Sequence, residues 1–392
     1  MVDLDEQDEE VRPTKTDWLL YRTGDGRRIQ NLPIKDGSWS TSLNDPGKMK
    51  VDLRVDDPDV KDLDLANTAD AGQASLAVVE NDVFMNNGPI WDDEYDEDAG
   101  TLVLDAQGIW SYFKRRTVSK VAALTVPLIN ASDGKPTVST TSTWSGLSLG
   151  TIFKRAIQQS MLMPGGNLPI LFMPDEAGIH ERNVLGADLK DLDSFLHQLT
   201  EVENGPDARF NGQYSADGKV VQNFLQVGTN AKPDLIGNTL HIWDMTSKHV
   251  RGLKIRSNMD AYANLAWVQG GRQGDAIINA VALNQKMLDQ GAALFETVQS
   301  RSTVTVQATL QSHANLAIRN GSAELKQWSW QVRADRSPFL GEYQVGDMCI
   351  IKIRDSTHIP DGDYMRRIAA MGRGSIKSEW IDITTTAVFG NG

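Results

Sequence analysis

The sequence predicts a β-rich α+β protein, with two small barrel-like β domains and an α+β region between them. Three observations carry that class. Short runs of alternating apolar and polar residues, broken by turn signals roughly every 8–12 residues, fill the first third of the chain. Two central stretches place apolar residues at helical spacing, and from Leu325 the period returns to two. The expected organisation is an acidic disordered tail over 1–15, an N-terminal β-barrel-like domain over 16–125 and a linker over 126–145. An α+β middle region over 146–320 and a C-terminal small β-barrel over 321–392 complete it.

Residues 3–10 hold six acids and almost no hydrophobic anchor, so in isolation they are expected to be disordered. Order is expected from Asp17-Trp18-Leu19-Leu20-Tyr21. The turn Thr23-Gly24-Asp25-Gly26 then returns the chain, since Asp-Gly between apolar runs is a strong hairpin signal. A second hairpin follows, Trp39 to Leu43 and Lys48 to Val55 across Asn44-Asp45-Pro46-Gly47. In its return arm Met49, Val51, Leu53 and Val55 alternate with polar residues, as one buried sheet face requires. Asp56 to Asn67 reads as a loop or short helix, and Gln73 to Val83 as a strand.

The stretch from Gly88 to Arg116 organises the domain. Ile90, Trp91 and Tyr95 precede the Asp98-Ala99-Gly100 turn, and the alternating run Thr101-Leu102-Val103-Leu104 follows it. Trp110, Tyr112 and Phe113 close it against Lys114, Arg115 and Arg116. Aromatics at this density make a core or an interface, each burying on the order of 150–250 Å². Trp91, Tyr95, Trp110, Tyr112, Phe113, Arg115 and Arg116 are therefore the candidate structural or interface residues.

Ile129 to Trp144, rich in Ser, Thr, Asp, Gly and Pro, reads as a connector. Ser148 caps a predicted helix over Leu149 to Met163, which Pro164-Gly165-Gly166 stops. A second helix is expected over Asp188 to Val202, with Leu189, Leu192, Phe195, Leu196 and Leu199 as its apolar stripe. Asn204-Gly205-Pro206-Asp207 breaks it, and Ala208 to Tyr214 pairs with Val220 to Val227. Leu253 to Ser257, Ala263 to Gln269 and Asp275 to Leu283 read as strands. Thr303 or Thr305 caps a third helix ending at Asn320-Gly321. Trp328 and Trp330, Met348 to Arg354, Tyr364 to Ala370 and Lys377 to Thr385 then form the closing strands.

At 392 residues the chain can bury a sizeable core, and its 40% hydrophobic and 23% charged residues are those of ordinary soluble proteins. No apolar run approaches the roughly 18 residues of a membrane helix, so no membrane binding is expected. The start, Met1-Val2-Asp3-Leu4-Asp5-Glu6, has no apolar h-region, which predicts no secretory signal and folding in a cytoplasm. The net charge of -13 argues against a protein that grips phosphate backbones over a wide surface. It is compatible with one that lets DNA pass, because an acidic lumen repels phosphates; solubility is the simpler use of the same charge.

The stretch from Gly88 to Arg116, with its G-x-I-W, acidic hairpin and T-L-x-L-x-A-x-G-x-W-S-Y-F-x-R-R, resembles minor tail proteins of long-tailed phages of actinobacteria. Those proteins are similar to the tail-tip or baseplate hub family. The opening matches too, as W-L-L, T-G and W-S-x-x-L-N-D-x-G, with Pro46 where a small residue is expected. So do the central helix, G-P-D turn and hairpin, and the closing W-x-W-x-V, V-G-D-M and P-D-G-x-x-x-R-R-I. The resemblance implies a phage tail hub-like fold and a structural subunit of the virion, made in the host cytoplasm. It would be a homotrimer at the distal tip of the tail tube, closing the lumen and opening for DNA after receptor contact. Its implied partners are further copies of itself, the distal tail or tail tube protein, the tape measure protein, and other minor tail, fibre or spike proteins, with DNA only in passage.

The residues themselves point to no reactive centre. The six histidines at 180, 197, 241, 249, 313 and 358 make no H-E-x-x-H or other close metal pair. The single cysteine, Cys349, lies in an apolar strand and reads as a buried inert thiol. No G-x-S-x-G elbow or phosphate-binding fingerprint occurs, and Gly270-Gly271-Arg272-Gln273-Gly274 reads as a turn. The acidic run Asp92 to Asp98 lacks the ligand spacing of an EF-hand loop and reads as a solvated hairpin tip. No catalytic residue, metal or cofactor is therefore expected. Two alternatives come from other classes. A tail-associated cell-wall hydrolase needs a zinc or Cys-His site or a carboxylate pair, and a carbohydrate-binding adhesin needs exposed members among the ten tryptophans.

Overall fold

The structure, a computed structural model, describes residues 10–202, 204–257, 262–273, 276–302, 304–322 and 326–387. The expected disorder of the first residues falls mostly on 1–9, outside the described residues. From Glu10 the chain already lies on the C-terminal part. The Arg12 backbone N–H donates to the Asp335 carbonyl at 3.2 Å, and its guanidinium sits 4.0 Å over the Phe339 ring.

The opening meander comprises β1 (Thr16–Arg22), β2 (Arg28–Asn31), β3 (Asp36–Ser42) and β4 (Asp45–Arg54). Two single-turn helices, α1 (Pro58–Lys61) and α2 (Leu65–Thr68), lead to β5 (Ala74–Glu80), β6 (Val83–Asp96) and β7 (Thr101–Gln107). On β4 the expected alternation appears: Met49, Val51 and Leu53 are buried while Lys48 and Lys50 face out. Every residue of β5 is buried.

The middle unit begins with a 3-10 helix over Ile109–Arg115, followed by β8 (Ser142–Leu147), α3 (Leu149–Met161), β9 (Ile170–Phe172) and β10 (Ala177–Val184). It ends with α4 (Leu192–Thr200) and the hairpin β11 (Ala208–Tyr214) and β12 (Val221–Val227). Ser148 Oγ caps α3 by accepting from the Thr151 N–H at 3.1 Å. The second helix is shorter than the sequence predicts. Leu189 takes φ 44°, outside the helical region, and Asp191 then caps α4 by accepting from the Ser194 N–H at 2.7 Å. Part of the expected linker is also strand, because β8 pairs with β10 and buries Ser142 and Trp144.

The remaining elements are β13 (His241–Asp244), β14 (Val250–Ser257), β15 (Leu265–Gln273), β16 (Ala276–Leu283), α5 (Gln285–Asp289), β17 (Glu296–Ser300) and α6 (Gln307–Ser322). After them come β18 (Lys326–Arg333), β19 (Met348–Ile353), β20 (Gly362–Arg373) and β21 (Trp380–Ala387). Of the two residues offered as caps for the third helix, Thr303 lies outside the described residues.

Among the described residues thirteen strands join in one β-sheet. β20 pairs with β3, with Met371 opposite Thr41 and Arg373 opposite Trp39, so the N- and C-terminal strands form one continuous layer. Gly372 makes that approach possible: a Cβ there would lie 2.7 Å from the Trp39 carbonyl oxygen. β13 pairs with β19 and β14 with β18, so residues 241–257 hydrogen-bond with the C-terminal strands rather than the middle region. One hydrophobic cluster runs through the joined sheet, from Trp18, Trp39 and Val51 to Trp243, Trp330 and Ile383. A second lies around α3 and α4, and two small ones lie between β1, β5 and β12 and between α6 and the sheet β16-β15-β17.

Candidate functional site

The predicted aromatic segment is a plug between the first two cores. Gly108 ends β7, and the following 3-10 turn buries Ile109, Trp110 and Phe113 in the second cluster, against Phe153 of α3 and Phe195 and Leu196 of α4. Trp110 and Phe113 are 2% and 0% exposed, so they pack within the chain rather than face a partner. From Ile109 onward the buried side chains of this segment pack with the second cluster rather than the first. The Trp110 ring meets Phe153 edge-on at 5.2 Å, and Phe113 lies 5.9 Å from Phe210. Such pairs add about 0.5–1.5 kcal/mol beyond the area they bury.

The polar atoms of the plug are spoken for. Trp110 Nε1 donates to Asp193 Oδ1 at 2.7 Å, and His197 Nε2 lies 3.4 Å from the same oxygen. Arg116 donates to Tyr112 Oη at 2.6 Å and to the Ser160 carbonyl at the end of α3. Trp91 is half-buried; its Nε1 donates to Ser111 Oγ at 2.8 Å, and Arg115 lies 5.9 Å from its ring. Tyr95 is exposed on the acidic hairpin and donates to Glu97 Oε2 at 2.6 Å. The seven candidates thus divide. Trp110, Tyr112, Phe113 and Arg116 join the plug to the helices, and Trp91, Tyr95 and Arg115 border the surface.

The pair Asp193–His197 makes stability depend on pH. Asp193 beside it holds the His197 imidazole above its ordinary 6.5, and hydrogen bonds from His197 and Trp110 hold Asp193 below its ordinary 3.8 against burial. A raised histidine contributes stability that is fully present below the unfolded value and is lost as pH rises through the folded one. The thermal midpoint should therefore fall from pH 6 to pH 8 by more in the native protein than in His197→Gln. Equal slopes would show that the pair does not titrate this way.

Two further polar links join the parts. Glu80 on β5 and Arg373 on β20 are 0% and 1% exposed at their side chains and 2.6 Å apart. Trp39 Nε1 donates to Glu80 Oε1 at 2.5 Å. Burial pushes the Glu80 carboxyl up, with Arg373 and Trp39 pulling against it. The second link ties the middle unit to the C-terminal strands: Arg367 pairs with Asp207 and, at 3.3 Å, with Asp234. Arg209 Nη1 donates to the Val345 carbonyl at 2.9 Å. Arg366 is buried, with its guanidinium 4.0 Å over the Trp328 ring.

Burial pushes the Cys349 thiol up to about 12, the direction opposite to that of a nucleophile. In native protein at pH 8 it should not react with a disulfide reagent within an hour, and should react at once in guanidinium; rapid native labelling would contradict its burial. Among the described residues no three His, Cys, Asp or Glu side chains gather as a metal site. No described helix is long and apolar enough to cross a membrane. A cleft of about 180 Å³ beside β13 and β14, lined by Trp243, His249, Arg333 and Arg336 among others, is smaller than the ~300–1,000 Å³ of small-molecule sites. Of the ten tryptophans, seven are below 10% exposed, Trp91 and Trp380 are half-buried, and Trp267 is 45% exposed.

No protein-family model matches the chain, and no curated protein matches its sequence. Solved structures do match its fold from end to end. The 43 kDa tail protein of prophage MuSo2 from Shewanella oneidensis aligns at TM-score 0.57 and 10% identity, over 95% of this chain and 98% of that one. A tail protein from Neisseria meningitidis MC58 aligns at 0.55 and 11%, over 96% and 97%. The prophage tail protein gp18 from Listeria monocytogenes EGD-e aligns at 0.50 and 10%, over 95% of each. The β-rich fold is the one these tail proteins share.

Proposed function

We propose that the chain is a structural subunit of a phage tail, the hub at the distal tip of the tail tube, and not an enzyme. The observation that carries this reading is the correspondence of fold over nearly the whole length of solved tail proteins. A chain with an added catalytic domain would leave a large part unmatched. The interior agrees: two of its buried ion pairs, Glu80 with Arg373 and Asp207 with Arg367, join distant parts of the chain. In this reading copies close as a homotrimer on the tail axis and seal the lumen. The tube or distal tail protein and the tape measure protein adjoin it above, and fibre or spike proteins below. The acidic balance of -13 suits a wall past which DNA slides.

The test is quantitative mass spectrometry of purified particles from the phage that encodes the chain, with gold-labelled antibody to locate it. About three copies per particle, with gold at the end of the tail distant from the capsid, is the expected result. Absence from particles, or label along the whole tube, would remove the hub reading.

A further inference from the structure

The sheet β16-β15-β17 is covered by α6 on one face, where Val268, Ala280, Leu310 and Ala314 pack together. Its other face is bare among the described residues. Residues directly opposite on paired strands share a face. Trp267 stands opposite Val281 on β16 and Val298 on β17, and Leu265 stands opposite Leu283 and, at the edge, Glu296 in the next row. Trp267, Val281, Leu283 and Val298 are 45%, 46%, 46% and 76% exposed, and Leu294 and Phe295 beside β17 are exposed as well. Contiguous apolar patches beyond a few hundred Å² mark contact surfaces, and a central tryptophan is the residue type that dominates them.

The face is also poor in charge. Residues 262–322 hold four basic residues (Arg272, Lys286, Arg301, Arg319) and three acids (Asp275, Asp289, Glu296), a balance of +1 in a chain of -13. Two copies of so acidic a chain repel over most of their surfaces, and here one can approach another without that penalty. The counterpart is on the same chain. Among the described residues the four most exposed large apolar side chains are Ile179, Val138, Val298 and Leu162, at 94%, 83%, 76% and 71%. Val298 lies on the bare face, and the other three belong to the middle unit. Ile179 projects because β10 bulges between Ala177 and His180, where Gly178 lies so close to the Leu147 backbone that a Cβ would come within 2.6 Å.

We propose that the bare face of β16-β15-β17 docks a second copy of this chain, receiving the exposed Ile179 side chain of its middle unit. The two surfaces differ, so the contact is heterologous, the kind that closes a ring. The inference rests on the trimeric hub reading and names the surface that would build it.

The test uses the full chain carrying Val298→Cys and Ile179→Cys, treated with a short bis-maleimide; Cys349 is buried and stays silent. The double variant should give linked species up to the trimer, and each single variant none. Linking by Val298→Cys alone would show that the face meets itself, and no linking in the double variant would show that the surfaces do not meet; either overturns the proposal. Light scattering adds a second readout. Trp267→Glu should reduce the mass from three copies to one with an unchanged thermal midpoint. A Trp267→Glu protein that remains trimeric would reject this surface while the hub reading stands. Wild-type protein that is monomeric at every concentration, and missing from particles, would reject both.

Discussion

Replacing Arg373 with methionine should cost about 3–5 kcal/mol of folding stability, because it strands the Glu80 carboxylate in a dry interior. The two side chains form the buried joint between β5 and β20, and hence between an N-terminal and a C-terminal strand of the common sheet. Taking two charges out of water is expensive, and their attraction offsets that only while both are present. The double variant Glu80→Gln/Arg373→Met should therefore be more stable than Arg373→Met alone, although it lacks the ion pair. Chemical denaturation of the four proteins of the cycle measures this directly. A cost below about 1 kcal/mol for Arg373→Met would mean that water reaches the pair and that the joint is held by backbone pairing alone.

Trp110→Ala should be almost as damaging, at about 3–5 kcal/mol, the usual range for a large aromatic removed from a core. Trp110→Phe keeps most of the apolar contact with Phe153 but removes the donor to Asp193, and should cost about 1.5–3 kcal/mol. Hydrogen exchange should show protection falling first in α3 and α4, with β4 and β7 little changed, since the plug enters the second core. If the alanine variant kept its stability and lost only self-association, Trp110 would be an intermolecular contact after all.

The local parts of this fold were legible in the sequence because local chemistry sets them. Ser148 and Pro164 bound α3, the alternation of Met49, Val51 and Leu53 marks β4, and Pro360-Asp361-Gly362 turns the chain into β20. What joins those parts was not legible. Nothing in the spacing of Trp39 and Arg373 announces that their strands pair, because a ladder contact between residues so far apart in sequence has no periodic signature. Glu80 reads as a polar residue at the end of an apolar run until its partner arrives from the other terminus. The same limit applies to the aromatic segment. Composition showed that Trp110 and Phe113 would be covered, but not whether by this chain or by another. The exposure of Trp267 is not legible because Leu265 to Val268 is a continuous apolar run, and only the position of α6 shows which face is left bare.

The most direct test of the central claim is a cryo-electron microscopy map of intact particles, with this chain fitted at the end of the tail tube. The account predicts three copies around the tail axis, the joined sheet of each intact, enclosing a closed lumen with no density for a bound substrate. A map in which this chain stands alone away from the axis, or in which that position is filled by another protein, would contradict it.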